Sequence, residues 1–185
     1  MTQQTMFLKN TETFAESLAR CGVKFHFAYP ITPATDVMKR MAVILPQYGG
    51  KMLQMESELA VSSALAGAAC TGMLCATSSS GPGMPLMQEA ISFLCGADLP
   101  CLRLDSMRVG PGDGAILGAQ SDYYMSTRGG GHGDYHVPVL APSDGQEIVD
   151  LVPEGIRLAH TYRTPVLFVF DGVTAQPPAT AVLPE

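Results

Sequence analysis

The chain has 185 residues, 46% of them hydrophobic, and a formal net charge of −6. That length and apolar content suit one domain with a sizeable core. The acidic charge leaves no basic stripe for nucleic-acid phosphates, and no apolar run approaches the roughly 18 residues of a membrane span. Because residues 1–10 also lack the apolar core of a secretory signal, we expect a cytoplasmic protein with no nucleic-acid and no membrane partner.

Predicted helices and strands alternate along the chain. A capped helix at 10–22 leads to a strand at 24–28, and a second helix follows Thr32-Pro33 and runs towards Pro46. The later elements are a strand at 51–55, a helix at 57–71, a strand at 73–78, a helix at 84–95, strands at 101–107 and 137–140, a helix at 143–160 and a strand at 164–170. This order predicts an α/β fold with three layers, α/β/α, around a mostly parallel sheet of about six strands.

The helix at 57–71 consists mostly of Ala, Ser and Gly. So small a surface lets another backbone approach closely. The pattern leaves two explanations open. Either the helix packs tightly on the sheet of its own domain, or it forms a subunit interface.

Two segments lack a sustained period. The first, from Arg108 to Gly133, is glycine-rich and has only a possible short helix around 121–127, and so long a loop in a compact domain is usually functional. The second begins after Gly172 and contains Pro177-Pro178. We therefore assign residues 1–172 to the domain and residues 173–185 to a tail or the start of a linker.

The cysteines form no C-x-x-C pair, and each lies in an apolar or small-residue segment, at 21, 70, 75, 95 and 101. This pattern predicts reduced core cysteines. Iron–sulfur or zinc ligands would need closer spacing or paired histidines. We therefore expect any redox cluster on another chain.

Glu58 lies where the strand at 51–55 meets the helix at 57–71. The dipole at the start of a helix favours an ionised carboxylate there and aims it at a ligand. The local sequence equally allows a first-turn acid with no further role. Glu56, two residues earlier, should face the other side or end the strand.

Thr32 and Arg108 also follow predicted strands. Thr32 would present its hydroxyl at the carboxyl edge of the sheet, the usual ligand edge of such folds, or it could serve only as a helix N-cap. Arg108 opens the glycine-rich loop, where a guanidinium could bind a carboxylate bidentately or remain a surface charge.

Two glycine-rich motifs lead to different predictions. Residues 79–83, Ser-Ser-Gly-Pro-Gly, form a strand-to-helix turn whose backbone amides could hold an anion, although no Lys follows to make a nucleotide loop. Gly112-Asp113-Gly114 resembles the start of a magnesium motif. That motif needs an asparagine pair about thirty residues later, and the chain has only Asn10, so we predict no metal site in this chain.

Taken together, the segments 29–35 (Tyr-Pro-Ile-Thr-Pro-Ala-Thr), 54–60 (Gln-Met-Glu-Ser-Glu-Leu-Ala) and 77–83 (Thr-Ser-Ser-Ser-Gly-Pro-Gly) resemble the pyrimidine-binding domain of thiamine diphosphate-dependent 2-oxoacid:ferredoxin oxidoreductases. The similarity is to the alpha subunits of the 2-oxoglutarate and branched-chain enzymes, and it extends over residues 11–172. It implies a pyrimidine-type, thiamine diphosphate-binding domain.

The resemblance implies roles for individual residues. Glu58 would hydrogen-bond a pyrimidine nitrogen and favour the tautomer that removes the cofactor's own C2 proton. Thr32 and Arg108 would contact the 2-oxoacid, and His132, in the Gly-His-Gly-acid segment, would border the site or act as a structural histidine bonded to its loop. The implied cofactor contacts are Glu58, Pro30, Ile31, Ser80, Gly81 and Pro82.

The implied enzyme decarboxylates a 2-oxoacid to an acyl-CoA and passes electrons to ferredoxin. The cofactor would be shared with a beta-type subunit that carries the diphosphate site, the magnesium ion and the iron–sulfur cluster, in a hetero-oligomer with two copies of each. Coenzyme A and ferredoxin would be further partners. Because relatives usually continue into another α/β domain, the chain is expected to be a naturally split subunit or a fragment.

The chain departs from the family pattern around Arg108. Met107 stands where relatives usually have glutamine, and Gly112-Asp113-Gly114 replaces a serine–threonine–glycine sequence. The choice of 2-oxoacid is therefore left open. Two alternatives to the oxidoreductase also remain: a split non-redox decarboxylase or carboligase subunit, and a non-catalytic assembly subunit.

Overall fold

The computed structural model describes residues 4–184. In chain order the elements are β1 (Gln4–Lys9), α1 (Asn10–Arg20), β2 (Phe25–Ala28), α2 (Thr35–Ile44), a 3₁₀ turn (Leu45–Tyr48), β3 (Lys51–Gln54), α3 (Glu58–Cys70), β4 (Cys75–Ser79), α4 (Gly83–Leu86), α5 (Gln88–Gly96), β5 (Cys101–Met107), α6 (Tyr123–Arg128), β6 (Val139–Leu140), α7 (Gly145–Tyr162), β7 (Pro165–Asp171), α8 (Gly172–Ala175) and β8 (Pro178–Leu183).

The central sheet has six parallel strands in the order β3-β2-β4-β5-β7-β6. The predicted α/β architecture is confirmed. The chain moves outward from β2 to β3 and then returns to the other side of β2 with β4. Ligands of such folds bind outside the carboxyl ends of the strands at this reversal, so the turns after β2 and β4 should border a site.

Each face of the sheet is covered by its own group of helices. On one face, Phe14 of α1, Met41 of α2 and Val152 of α7 pack with the apolar residues of the strands. On the other face, Val61 and Leu65 of α3 lie in a second core with residues of α5. The helices on both sides explain why the central strands are almost continuously buried.

The prediction of a tail after Gly172 is wrong for the residues that the structure describes. Strand β8 pairs antiparallel with β1 over six residues, from Gln4↔Leu183 to Lys9↔Pro178. Ala181 and Leu183 are buried together with Val149 of α7. Strand β1 was not predicted at all. Its partner β8 lies almost the whole length of the chain away, and among the described residues the two strands pair only with each other, so no local pattern marks them.

Other element boundaries differ locally. Helix α2 begins at Thr35, after the Thr32-Pro33 turn, and the helix predicted at 84–95 is divided at Met87 into α4 and α5. The short helix expected in the glycine-rich loop is confirmed as α6, and α7 runs without interruption through Pro153.

The small-residue helix α3 packs inward through Val61, Leu65 and Ala69. On the outside, a side chain added at Gly67 would meet no other atom, and Leu59 is exposed. The inner surface fits the packing explanation, while the subunit-interface alternative stays a prediction. None of the helices between residues 4 and 184 is both long and apolar enough to cross a bilayer.

Candidate active site

Glu58 is the first residue of α3 and is buried, with 7% of its surface exposed. Ser57 caps the helix by accepting a hydrogen bond from the Ala60 backbone N–H at 3.2 Å. Glu56 is exposed. The geometry therefore selects Glu58, rather than Glu56, as the carboxylate that the helix dipole holds at the carboxyl edge of the sheet.

The turn after β4 packs directly against this carboxylate. A Cβ atom added to Gly83 would lie 2.7 Å from Glu58 Oε1 and 2.2 Å from Ser79 Oγ. Real Cβ atoms do not approach other heavy atoms so closely, so any larger residue at this position would force the side chains of Ser79 and Glu58 to shift. The glycine-rich turn thus forms one wall around Glu58.

Arg108 reaches the same turn from the end of β5. Its Nη1 donates to the Thr32 carbonyl at 3.0 Å, and its Nη2 donates to the Asp113 carbonyl at 3.0 Å. A Cβ atom on Gly81 would lie 2.5 Å from Arg108 Nε. Gly81 and Gly83 therefore admit Arg108 and Glu58 to neighbouring positions on one turn.

The Arg108 guanidinium is buried, yet its nearest partners are mostly neutral carbonyls. Among the described residues, the only carboxylate within salt-bridge distance of Arg108 belongs to Asp113, at 3.5 Å. The Asp113 side chain is 95% exposed. So solvated a carboxylate contributes little to the pair. Much of the positive charge of Arg108 is therefore available to an anionic ligand.

Thr32 lies at the mouth of the site and is exposed. It does not cap α2, because Ala34 occupies the cap position and no side chain caps that helix. The N-cap alternative for Thr32 is therefore wrong. Its carbonyl anchors Arg108, and its hydroxyl remains free for another role.

Several hydroxyl groups around the site have no hydrogen-bond partner among the described residues. They are the buried side chains of Thr77, Ser78, Ser79, Ser80 and Ser106. Buried polar groups are normally satisfied by protein, water or ligand atoms. The members of this set at the carboxyl ends of β4 and β5 are Ser79, Ser80 and Ser106, and together with the buried carboxylate of Glu58 they fit a polar ligand in this crevice.

The other predicted cofactor contacts lie on the two turns that border the crevice. Pro30 and Ile31 follow β2, Pro30 being exposed and Ile31 partly buried, while Ser80, Gly81 and Pro82 follow β4. The topology therefore brings these residues to one edge of the sheet with Glu58, Thr32 and Arg108. Their contacts with a cofactor stay a prediction.

His132 is not brought to this group by any contact that the described residues make. Its backbone N–H donates to Ser92 Oγ of α5 at 3.4 Å, and its ring Nδ1 lies 2.9 Å from the Gly133 carbonyl oxygen. It lines a cavity of about 550 Å³ whose other walls include Cys95 and Thr164, at the amino edge of the sheet. This placement favours the structural interpretation of His132.

Two buried acids behind Arg108, Asp105 and Asp122, were not predicted from the sequence. Burial, with a smaller contribution from Asp122, raises the pKa of Asp105 on β5 to about 8. Burial also raises the pKa of Asp122, and the positive charge of Arg108 opposes this shift. The signal was present in Cys101–Met107, a strand that is buried throughout and nevertheless contains Arg103 and Asp105.

The cysteines are free thiols. Burial raises the pKa of Cys75 to about 12, which makes it an inert core thiol as predicted. Cys70 is exposed at the end of α3, so the core prediction is wrong for that residue. Between residues 4 and 184, no His, Cys, Asp and Glu side chains cluster in a way that could hold a metal ion.

Comparison with known proteins agrees with this geometry. The family model for the thiamine diphosphate-binding domain of pyruvate flavodoxin/ferredoxin oxidoreductases matches residues 16–183. The ketoisovalerate oxidoreductase subunit VorB of Methanothermobacter thermautotrophicus is 42% identical over 98% of this chain and 51% of its own length. The 2-oxoglutarate synthase subunit KorA of Methanocaldococcus jannaschii is 38% identical over 90% of this chain and 46% of its own length.

A solved structure shows the same fold. It is the 2-oxoglutarate:ferredoxin oxidoreductase of Magnetococcus marinus with 2-oxoglutarate, coenzyme A and succinyl-CoA bound, with a TM-score of 0.93 and 34% identity over 99% of this chain and 32% of that chain. The chain thus spans about half the length of the curated relatives and a third of the solved one. It belongs to the family of thiamine diphosphate-binding domains of the pyruvate flavodoxin/ferredoxin oxidoreductases.

Proposed function

We propose that this chain is the pyrimidine-binding part of a thiamine diphosphate-dependent 2-oxoacid oxidoreductase that forms an acyl-CoA and reduces ferredoxin. The observation that carries the proposal is the convergence of Glu58 and Arg108 on the turn Gly81–Gly83. An acidic group for the cofactor and a cationic group for the substrate carboxylate then lie side by side. The names of the relatives support the reaction class.

Glu58 fits the pyrimidine ring of the cofactor. It is buried, and no described residue donates a hydrogen bond to its carboxylate. Bound thiamine diphosphate would supply the carbon nucleophile for the 2-oxo group and hold the electrons left by decarboxylation. Glu58 would hold a proton shared with the ring nitrogen, and its burial would keep that hydrogen bond strong.

Arg108 fits the substrate carboxylate. Within residues 4–184 its Nε atom is buried without a partner, and its other nitrogens donate only to the Thr32 and Asp113 groups. A 2-oxoacid carboxylate in the crevice would therefore meet a positive charge already oriented by backbone carbonyls. The free hydroxyl of Thr32 lies at the same mouth and would contact the substrate.

The rest of the catalytic machinery belongs, on this proposal, to a beta-type partner subunit. Since no described cluster could hold a metal ion, we assign magnesium, the diphosphate site and the iron–sulfur cluster to that partner, with two copies of each subunit. Coenzyme A and ferredoxin complete the partners. We place the complex in the cytoplasm, where free thiols such as the exposed Cys70 persist.

The role of Glu58 is tested in the holoenzyme with Glu58→Gln and the matched control Glu56→Gln. We expect the first change to lower kcat for 2-oxoacid-dependent ferredoxin reduction by about 10²-fold or more, because an amide cannot share the proton in the same way. The control alters an exposed carboxylate two residues away and should retain wild-type turnover. Equal activity of the two variants would overturn the assignment.

The role of Arg108 is tested with Arg108→Met across a panel containing 2-oxoglutarate, 2-oxoisovalerate and pyruvate. Loss of a desolvated charge-assisted contact of about 2–5 kcal/mol should lower kcat/KM by roughly 30-fold to several thousand-fold for every acid. Arg157→Met, which removes an exposed arginine paired with Glu154, is the control. An unchanged kcat/KM in the Arg108 variant would refute the carboxylate contact.

A further inference from the structure

Buried charged residues lie behind Arg108, on the face of β5 that α5 and α6 cover. Arg103 and Asp105 are two positions apart on the strand and therefore point to the same face. Their exposed fractions are 2% and 0%, and Asp122, in the turn before α6, is also 0% exposed. Charged groups at such depth are costly unless they compensate one another.

Hydrogen bonds from α6 hold the two acids beside the strand that carries Arg108. Ser126 donates from Oγ to Asp105 Oδ2 at 3.3 Å and from its backbone N–H to the Asp122 carbonyl at 2.9 Å. Ser121 Oγ donates to the Arg108 carbonyl at 3.0 Å. The start of α6 is thereby fixed against the end of β5, with Asp122 between Asp105 and Arg108.

The acids do not form ordinary ion pairs with the described residues. Among the described residues, no side chain donates a hydrogen bond to Asp122 or to the Oδ1 atom of Asp105, and the three guanidinium nitrogens of Arg103 donate none. Burial raises the pKa of Asp122, while the positive charge of Arg108 and its backbone N–H favour the ionised form and so oppose this rise. The charges therefore act on one another through space. Two carboxyl groups in such a dry environment do not both ionise readily, so the pair is expected to retain one proton.

The charge balance of the group depends on that proton. Among these four groups, Arg103 and Arg108 with one ionised carboxyl leave a single excess positive charge, which the carboxylate of a 2-oxoacid would neutralise. Asp113 is too exposed to cancel this charge, and Glu58 lies on the Gly83 side of the turn, where the cofactor would bind. If both Asp105 and Asp122 ionise, the excess is gone before the substrate arrives. The attraction of Arg108 for an anion should then weaken.

We propose that Asp105 and Asp122 are positioning residues that share one proton and thereby preserve the excess positive charge with which Arg108 binds the substrate carboxylate. This inference rests on the proposed function of Arg108. By linkage, binding of the 2-oxoacid favours retention of the proton, and loss of the proton weakens binding.

Other ionisable groups around the pair do not titrate in the same pH range. Next to Arg103 lie Tyr135 from the loop after α6, Cys95 from α5 and Cys101 from β5, and burial raises the pKa of each above its ordinary value. Burial lowers the pKa of Arg103 only to about 10, so it stays charged. Among these groups Asp105, with its pKa near 8, is the one whose ionisation falls closest to neutral pH.

The proposal is tested by the pH dependence of kcat/KM and kcat for 2-oxoglutarate and 2-oxoisovalerate in the holoenzyme. For the wild type we expect kcat/KM to fall above about pH 8, approaching tenfold per pH unit, through a rising KM with little change in kcat. Asp105→Asn cannot ionise, so its profile should stay flat to pH 9.5. Asp122→Asn removes the neighbouring negative charge, so Asp105 should ionise at lower pH. Because Arg103 and Arg108 then face at most one carboxylate, kcat/KM of this variant should not fall below the low-pH value of the wild type.

The control is Asp98→Asn, an exposed acid outside the group, which should keep the wild-type profile. A wild-type kcat/KM without a decline above pH 8, or an Asp105→Asn profile that declines like the wild type, would overturn the proton-sharing pair. A decline confined to kcat would also overturn it. Arg108→Met separates the two hypotheses: if that variant is fully active, the proposed function of Arg108 itself has failed.

Discussion

The two faces of strand β5 show how one short segment serves both stability and chemistry. Leu102 and Leu104 point into the core formed with α1, α2 and α7. On the opposite face Arg103 and Asp105 are equally buried but have almost no hydrogen-bond partners among the described residues. Burial of the first face stabilises the fold, whereas burial of the second costs stability and prepares the charge around Arg108.

A second contrast, between the turn at the carboxyl edge and the outer surface of α3, shows where small residues are required. At the carboxyl edge, Gly81 and Gly83 allow Arg108 and Glu58 to approach the turn more closely than any side chain would permit. On the outer surface of α3, Gly67 has open space. The difference indicates that Gly81 and Gly83 are needed for the close approach of Arg108 and Glu58, whereas packing within the described chain does not require glycine at position 67.

Among the variants that test this comparison of glycines and strand faces, Gly83→Ala should have the largest effect on activity. The new methyl group would overlap Ser79 Oγ and Glu58 Oε1, so these side chains must shift, and displacement of the Glu58 carboxylate should lower kcat/KM in the holoenzyme by about tenfold to 10²-fold. Gly67→Ala on the same side of the sheet meets no atom and should keep wild-type activity. If Gly83→Ala behaves like its control, the carboxylate is not held by this turn.

The apolar face of β5 is tested by Leu104→Ala. Removing a fully buried side chain from the first core should lower the free energy of unfolding by about 2–5 kcal/mol. Urea-induced unfolding of the purified chain measures the change. The exposed Leu59→Ala should cost much less, and a similar loss from both variants would contradict the assignment of the core.

The polar face should respond to pH rather than to side-chain volume. The pKa of Asp105 is raised from 3.8 to about 8, so the folded chain keeps a proton that the unfolded chain releases above about pH 4. The stabilisation from this proton is therefore present at low pH and lost as the pH rises towards 8. Asp105→Asn should gain about 1–3 kcal/mol over the wild type between pH 5 and pH 8, and a constant difference would contradict this.

His26, on β2, provides a second pH test with a smaller expected effect on stability. Burial lowers its pKa from 6.5 to about 3, and neither ring nitrogen has a partner among the described residues. The unfolded chain takes up a proton below about pH 6.5 that the folded chain refuses, so stability falls as the pH drops from 6.5 towards 3. His26→Leu should lose about 1–2 kcal/mol less than the wild type between pH 7 and pH 5. An equal loss in both would show that His26 is solvated.

The central architecture could be predicted from the sequence because its signals are local. Continuous apolar strands and capped helices follow directly from residue types, and Glu58 stands out at a strand-to-helix junction. The pairing of Gln4 with Leu183 could not be predicted in this way, because nothing near either residue indicates its partner.

The site was only partly predictable for a related reason. A sequence shows that Arg108 follows a strand, but it does not show that the Thr32 carbonyl accepts a hydrogen bond from the guanidinium. It also does not distinguish a buried aspartate such as Asp122 from a solvated one in a polar loop. Depth within the fold, which depends on distant elements, decides these roles.

The most direct test of the central claim, that Glu58 forms the cofactor-activating half of this site, is hydrogen–deuterium exchange at C2 of thiamine diphosphate in the holoenzyme without substrate. Because no 2-oxoacid is present, the measurement isolates Glu58 from Arg108 and from the acid pair. We expect Glu58→Gln to slow exchange by about 10²-fold or more, while Glu56→Gln exchanges at the wild-type rate. Wild-type exchange in the Glu58 variant would contradict the account.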